Sequence, residues 1–121
     1  MVRATPVALR IAGRQSADSN GTGVDVSAYE GFGLVLLDAS FVSGTTTTLD
    51  VILEESDTSG GTYTAVPDVT FTQLGAAGST YQAKAIELQQ RKKFIRARID
   101  VGGTSPVYDL CVELIGQKKY A

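Results

Sequence analysis

Residues 95–101 read Ile95-Arg96-Ala97-Arg98-Ile99-Asp100-Val101, and this heptapeptide decides the fold class. Side chains along a strand point alternately to opposite faces. Ile95, Ala97, Ile99 and Val101 therefore share one face, and Arg96, Arg98 and Asp100 share the other. The same two-residue period recurs in Leu49-Asp50-Val51-Ile52-Leu53-Glu54, where Leu49, Val51 and Leu53 oppose Asp50 and Glu54. It recurs again from Tyr108 to Leu114, where Tyr108, Leu110, Val112 and Leu114 oppose Asp109, Cys111 and Glu113. Strands with one apolar and one polar face belong to antiparallel sheets that pack on one side.

Other segments extend the pattern. Val7, Leu9 and Ile11 alternate with Ala8 and Arg10, which predicts an N-terminal strand. The run from Gly33 to Val42 is nearly all apolar and reads as a central strand buried on both faces. Val69 to Thr72 reads as a short strand, and so does Thr80 to Leu88, despite the helix formers between Ala83 and Gln90. Ser43-Gly44, the stretch from Asp57 to Gly61, Gly75 to Gly78, and Gly102 to Pro106 carry turn chemistry. About seven to eight short strands in 121 residues predict an all-β fold: one antiparallel β-sandwich, jelly-roll-like, spanning residues 1–121. The polar stretch from Gln15 to Val24 reads as a mobile loop. Residues 1–23 read as a partly extended N-terminal arm and loop. Deleting residues 1–14 is then expected to weaken attachment to a partner without unfolding the sandwich.

The residues present exclude several chemistries. Histidine is absent, which removes Ser-His-Asp and Cys-His catalysis and every His-containing zinc site. Cys111 is the only cysteine, so no internal disulfide exists, and its mid-strand position reads as a structural, half-buried thiol rather than a nucleophile. The glycine-containing segments match no phosphate loop or dinucleotide fingerprint. Glu54, Glu55 and Asp57 offer carboxylates for a hard cation, but without the spacing of a calcium loop; solvated edge charges are the plainer reading. No catalytic, cofactor-binding or metal site is expected, and the chain is expected not to be an enzyme. No apolar stretch approaches the roughly 20 residues of a membrane span, and no signal-peptide core precedes a cleavage site. A soluble protein made in a reducing cytosol is the expectation.

Charge is unevenly spread. Residues 15–83 hold nine acids and no lysine or arginine, whereas both ends are basic. Either the basic ends meet acidic surfaces of other molecules, or the strands interleave and the charges mix within the fold. The net charge of −2 argues against direct nucleic-acid binding. The candidate contact residues are Arg3, Arg10 and Arg14 near the N-terminus, Arg91, Lys92 and Lys93 in a basic run, and Lys118, Lys119 and Tyr120 in the tail.

The blocks VDVSAYEGFGLVLLDASFVSGT (24–45), TLDVILEESDTSGGTYTAV (48–66), RKKFIRARIDVGGTSP (91–106) and GQKKY (116–120) resemble small head decoration, or capsid cement, proteins of tailed bacteriophages. The resemblance runs from about residue 7 to the end. It implies a virion protein on the exterior of the capsid, synthesised in the bacterial host cytoplasm, that clamps neighbouring major capsid protein subunits. It also implies a homo-oligomer, a trimer foremost, and neither a membrane nor nucleic acid as direct partner. Glu55-Ser56-Asp57 with Gly60-Gly61-Thr62-Tyr63-Thr64, and Phe94-Ile95-Arg96-Ala97-Arg98, are also similar to scaffold strands of discoidin-type and other carbohydrate-binding sandwiches, with Tyr63 where those carry Trp. That likeness implies an alternative, a carbohydrate-binding or adhesion module displayed on the particle or tail. It would use exposed aromatics drawn from Tyr29, Phe32, Tyr63, Tyr81 and Tyr108.

Overall fold

The computed structural model describes residues 4–118 of the chain. Seven strands follow one another: β1 (Ala4–Gln15), β2 (Ser19–Asn20), β3 (Val24–Asp25), β4 (Tyr29–Ser56), β5 (Thr64–Thr70), β6 (Ser79–Glu87) and β7 (Phe94–Lys118). All pairings are antiparallel. β4 and β7 run 28 and 25 residues, far beyond the usual five or six of a globular strand. They pair with each other from Tyr29 opposite Lys118 to Ser56 opposite Phe94. Each bends midway and so serves both layers of the sandwich.

In the first layer, residues 29–41 of β4 lie between β6 and residues 108–118 of β7, and β1 closes the far side. In the second layer, residues 49–56 of β4 lie between β5 and residues 94–101 of β7, and β2 and β3 pair on the outside of β7. Counting each half of the long strands separately gives the strand order of a jelly roll. Alternation fills the space between the layers. Val35, Leu37, Ala39, Leu110, Val112 and Leu114 from the first layer join Leu49, Val51, Leu53, Ile95, Ala97 and Ile99 from the second in one buried cluster. Each fully buried aliphatic side chain of this kind contributes roughly 1.5–3 kcal/mol.

The segments Ser43-Gly44 and Gly102 to Pro106, expected as turns, are instead the corners at which β4 and β7 pass between layers. Register shifts after Phe41, Ser43 and Thr45 mark the bend, since an extra residue in one strand bends and twists it. Gly44 and Gly103 take positive φ values of 125° and 95°. A Cβ on Gly103 would lie 2.6 Å from the Thr46 carbonyl oxygen. Tyr108 fastens the corner: its fully buried ring carries a hydroxyl bonded to Thr47 Oγ1 at 2.9 Å and donating to the Gly75 carbonyl at 2.8 Å.

Residues 4–15 do not form a reaching arm. β1 pairs with β7 along its whole length, from Ala4 opposite Gln117 to Gln15 opposite Tyr108, and Leu9 is buried in the core. The stretch from Gln15 to Val24 likewise contains β2 and returns to β7 through Ser19 and Asn20. Gly33 to Val42 is central, as expected, but only its inward side chains are buried.

Candidate interaction surface

Among the described residues, the basic side chains singled out in the sequence are engaged within the chain at Arg10, Arg14, Arg91 and Lys93. Arg3, Lys119 and Tyr120 lie outside the described residues, as does the side chain of Lys118. The Arg10 guanidinium donates to Gln15 Oε1 at 3.0 Å and to the carbonyls of Arg14 and Ile11. Arg14 pairs with Asp109 at 3.1 Å, both side chains half exposed. Arg91 reaches Glu55 at 3.3 Å, and the Lys92 backbone N–H donates to the same carboxylate at 2.9 Å. Lys93 stands 3.9 Å from Asp25 and above the Phe94 ring. Asp25 is held below the usual carboxylate range by hydrogen bonds from the Ser27 hydroxyl and N–H. Arg91, Lys92 and Lys93 line a polar cleft of about 280 Å³ at one end of the sandwich, together with Tyr29 and Leu88. The Arg91–Glu55 and Lys93–Asp25 pairs join the acidic middle of the chain to its basic C-terminal part, so charge mixing within the fold accounts for part of the asymmetry.

The outer face of the second layer is neutralised by its own residues. Glu54 is only 5% exposed. It accepts from Arg96 Nε at 3.0 Å and from an Arg98 terminal nitrogen at 3.0 Å. Arg98 also pairs with Asp100 at 3.2 Å, and its pKa is raised chiefly by Asp100. The Arg96 guanidinium stacks 3.9 Å above the Tyr63 ring. Glu54 and Glu55 are therefore not solvated edge charges. They diverge to opposite faces, as the strand period requires, and each is covered by arginine. Among the described residues no group of three or more His, Cys, Asp or Glu side chains is arranged to hold a metal ion.

The outer face of the first layer has the opposite character. Phe32 is 71% exposed, Tyr81 66% and Leu34 45%. The register sets Leu34 beside Ala85 and Ile115, Leu36 beside Ala83 and Glu113, and Asp38 beside Tyr81 and Cys111. The result is a largely apolar sheet face on whose middle Asp38 and Glu113 stand without an ion-pair partner among the described residues, whereas Asp109 on the same face is paired with Arg14. Leu36, Asp38, Tyr81, Cys111 and Glu113 bound a groove of about 180 Å³. The Cys111 thiol has its pKa pushed up by burial first, and then by the charges of Asp38 and Glu113. The sequence reading missed this surface because an unbroken apolar run carries no two-residue period. The signal that was available is the charge of Asp38 at the end of that run, on the same parity as Phe32, Leu34 and Leu36. Of the five aromatics considered for ligand contact, Tyr29 and Tyr108 are buried, Tyr63 lies under Arg96, and Phe32 and Tyr81 share this exposed face.

No protein-family model matches the chain, and no curated protein matches it in sequence. Solved structures do match. The SPBc2 prophage-derived protein YomS aligns over 96% of both chains with a TM-score of 0.51 and 10% identity. The infectious bursal disease virus VP2 subviral particle aligns with 97% of this chain and 33% of its own, with a TM-score of 0.56 and 14% identity. The C-terminal family 22 carbohydrate-binding module of Clostridium thermocellum Xyn10B covers 98% of this chain with a TM-score of 0.53 and 11% identity. The chain thus spans about a third of the viral capsid protein and nearly all of the prophage protein. At these identities the likeness is one of fold: the β-sandwich expected from the alternation is the fold these proteins share.

Proposed function

We propose that this chain is a non-catalytic structural protein of a phage particle. It binds the exterior of the capsid, through major capsid protein subunits, and stabilises the contacts between them. The observation that carries the proposal is the difference between the two outer faces. One face settles its charges internally, and the other leaves Phe32, Leu34 and Tyr81 in water. Contiguous apolar patches on soluble proteins mark contact surfaces. The block resemblance to decoration proteins and a fold shared with a viral capsid protein support the same reading. Modest contacts of this kind gain strength when repeated over a lattice. Self-association, with the trimer implied by the resemblance, is measured by sedimentation equilibrium. The decisive experiment is co-sedimentation of the purified chain with capsids of the phage that encodes it, followed by near-atomic imaging of the particle. The expected result is saturable attachment with density on the shell exterior; failure to co-sediment, or density confined to the tail, rejects the proposal.

A second reading, a carbohydrate-binding module, draws on one observation: Tyr81 shares an open sheet face and a groove with Asp38 and Glu113, which have no ion-pair partner among the described residues. A glycan array supports it if binding is saturable and disappears in Tyr81→Ala. A blank array rejects it.

A further inference from the structure

The outer face of the second layer contains a complete recognition unit. Glu54 holds the Arg96 guanidinium by hydrogen bonds while the Tyr63 ring supports it from below at 3.9 Å. The outer face of the first layer repeats two of those three parts. Asp38 and Glu113 supply carboxylates, and the exposed Tyr81 ring lies across from Asp38. The third part, a guanidinium paired with these carboxylates, is missing among the described residues: Arg14 reaches this face but pairs with Asp109, and Arg10 is engaged by Gln15 and backbone carbonyls. Leu36 opposes Glu113 and Asp38 opposes Cys111, so Asp38 and Glu113 are diagonal neighbours on adjacent strands, residues of a kind about 7–8 Å apart. Two like charges at that spacing on a mostly apolar face repel each other, and one cation between them relieves the repulsion.

We infer that the groove bounded by Leu36, Asp38, Tyr81, Cys111 and Glu113 seats an arginine or lysine side chain of a partner protein, with the partner's flanking apolar side chains covering Phe32 and Leu34. The inference rests on the particle-binding reading only for where that partner sits. Charge selects the occupant. A second copy docked face to face would set four carboxylates against one another. Nucleic acid and anionic lipid would bring phosphates towards Asp38 and Glu113. A basic, apolar protein segment neutralises the carboxylates, and its cation gains from the Tyr81 ring.

The test uses the full isotope-labelled chain, titrated by NMR with the peptide acetyl-Leu-Arg-Leu-Arg-Leu-amide. Saturable shifts are expected at Tyr81, Cys111 and Glu113. The isosteric double variant D38N/E113Q, whose altered side chains are exposed, should bind at least tenfold more weakly with an unchanged melting temperature. Tyr81→Ser should weaken binding as well. An equal response to acetyl-Leu-Glu-Leu-Glu-Leu-amide, undiminished binding by D38N/E113Q, or shifts confined to Lys92 and Lys93 would overturn the assignment. So would a xylo-oligosaccharide shifting the same residues when the arginine peptide shifts none. Capsid attachment separates this inference from the functional reading. If D38N/E113Q attaches to capsids as well as the parent, the groove is wrong and the capsid reading stands. If the peptide binds the groove but the chain never attaches to capsids, the groove stands and the capsid reading falls.

Discussion

At Glu54 the carboxylate is nearly inaccessible while both of its arginines remain partly in water. Removing its charge leaves Arg96 and Arg98 crowded without their common acceptor. The cost is below that of breaking a fully buried pair, because water can reach both guanidinium groups. Glu54→Gln is expected to lower unfolding free energy by about 1–2 kcal/mol in urea titration. Asp100→Asn, at a half-exposed pair, is expected to change it by roughly 0–0.5 kcal/mol. A second residue reports on the opposite face. With the Cys111 pKa raised, less thiolate exists at any given pH, and the thiolate is the reacting species. Alkylation of Cys111 by iodoacetamide should therefore lag a cysteine peptide at pH 8, with its pH–rate curve displaced to higher pH. Asp38→Asn removes one of the two carboxylate contributions and should shift the curve part of the way back. A curve coinciding with that of the peptide would show that neither burial nor Asp38 acts on the thiol.

The elements owe their unusual length to two corners. Gly44 and Gly103 adopt backbone angles that L-residues rarely take, and the crossing strands leave no room for a side chain: the Cβ of an alanine at residue 103 would meet Thr46 O at 2.6 Å and Thr47 Cα at 2.7 Å. Gly103→Ala is expected to destabilise by roughly 1–3 kcal/mol. Gly60→Ala, where a Cβ meets nothing within 4 Å, should stay within about 0.5 kcal/mol of the parent. Matched urea titrations of the two variants check this; equal effects would mean that the corner is not constrained. The corners also explain where the sequence was readable. On either side of them, Leu49 to Leu53, Ile95 to Val101 and Tyr108 to Leu114 alternate strictly, so strand and inward face follow from the residues alone. Across them, Ser43-Gly44 and Gly102 to Pro106 have the composition of a hairpin turn. A corner demands the same small residues and positive φ as a turn, and only the pairing of Thr45 with Thr104 and of Thr48 with Gly102 distinguishes the two. Leu34 and Leu36 were illegible for a different reason. An apolar side chain on the outward face of a sheet looks, in sequence, like one turned to the core.

For the whole molecule, the chain ends and the outer faces divide the work. Residues 4–15 pair with residues 108–117 in the first layer, where β1 is the edge strand on β7, so this segment belongs to the fold before it belongs to any contact. Removing residues 1–14 exposes the ladder of β7 and takes Leu9 out of the core. The burial of Leu9 alone is worth roughly 1.5–3 kcal/mol, and the lost backbone pairing adds to that. The truncated chain should therefore melt at a lower temperature, and any loss of capsid attachment would follow from that loss of stability. The exposed face behaves in the opposite way. Phe32 and Leu34 lie on the solvent side of β4 and contribute little to the core, since 71% and 45% of their surfaces remain in water. The double variant F32S/L34S should keep the parent's urea midpoint and become more soluble, because it removes exposed apolar area without opening a cavity. On the proposed capsid-binding role, its attachment to capsids should fall at least tenfold, because the side chains assigned to that contact are gone. Raising the salt concentration should weaken attachment of the parent further, because exposed charges are screened over about 10 Å at 0.1 M. A stable F32S/L34S that still attaches at the parent's level would move the contact off this face, and the polar cleft of Arg91, Lys92 and Lys93 would be the next surface to substitute.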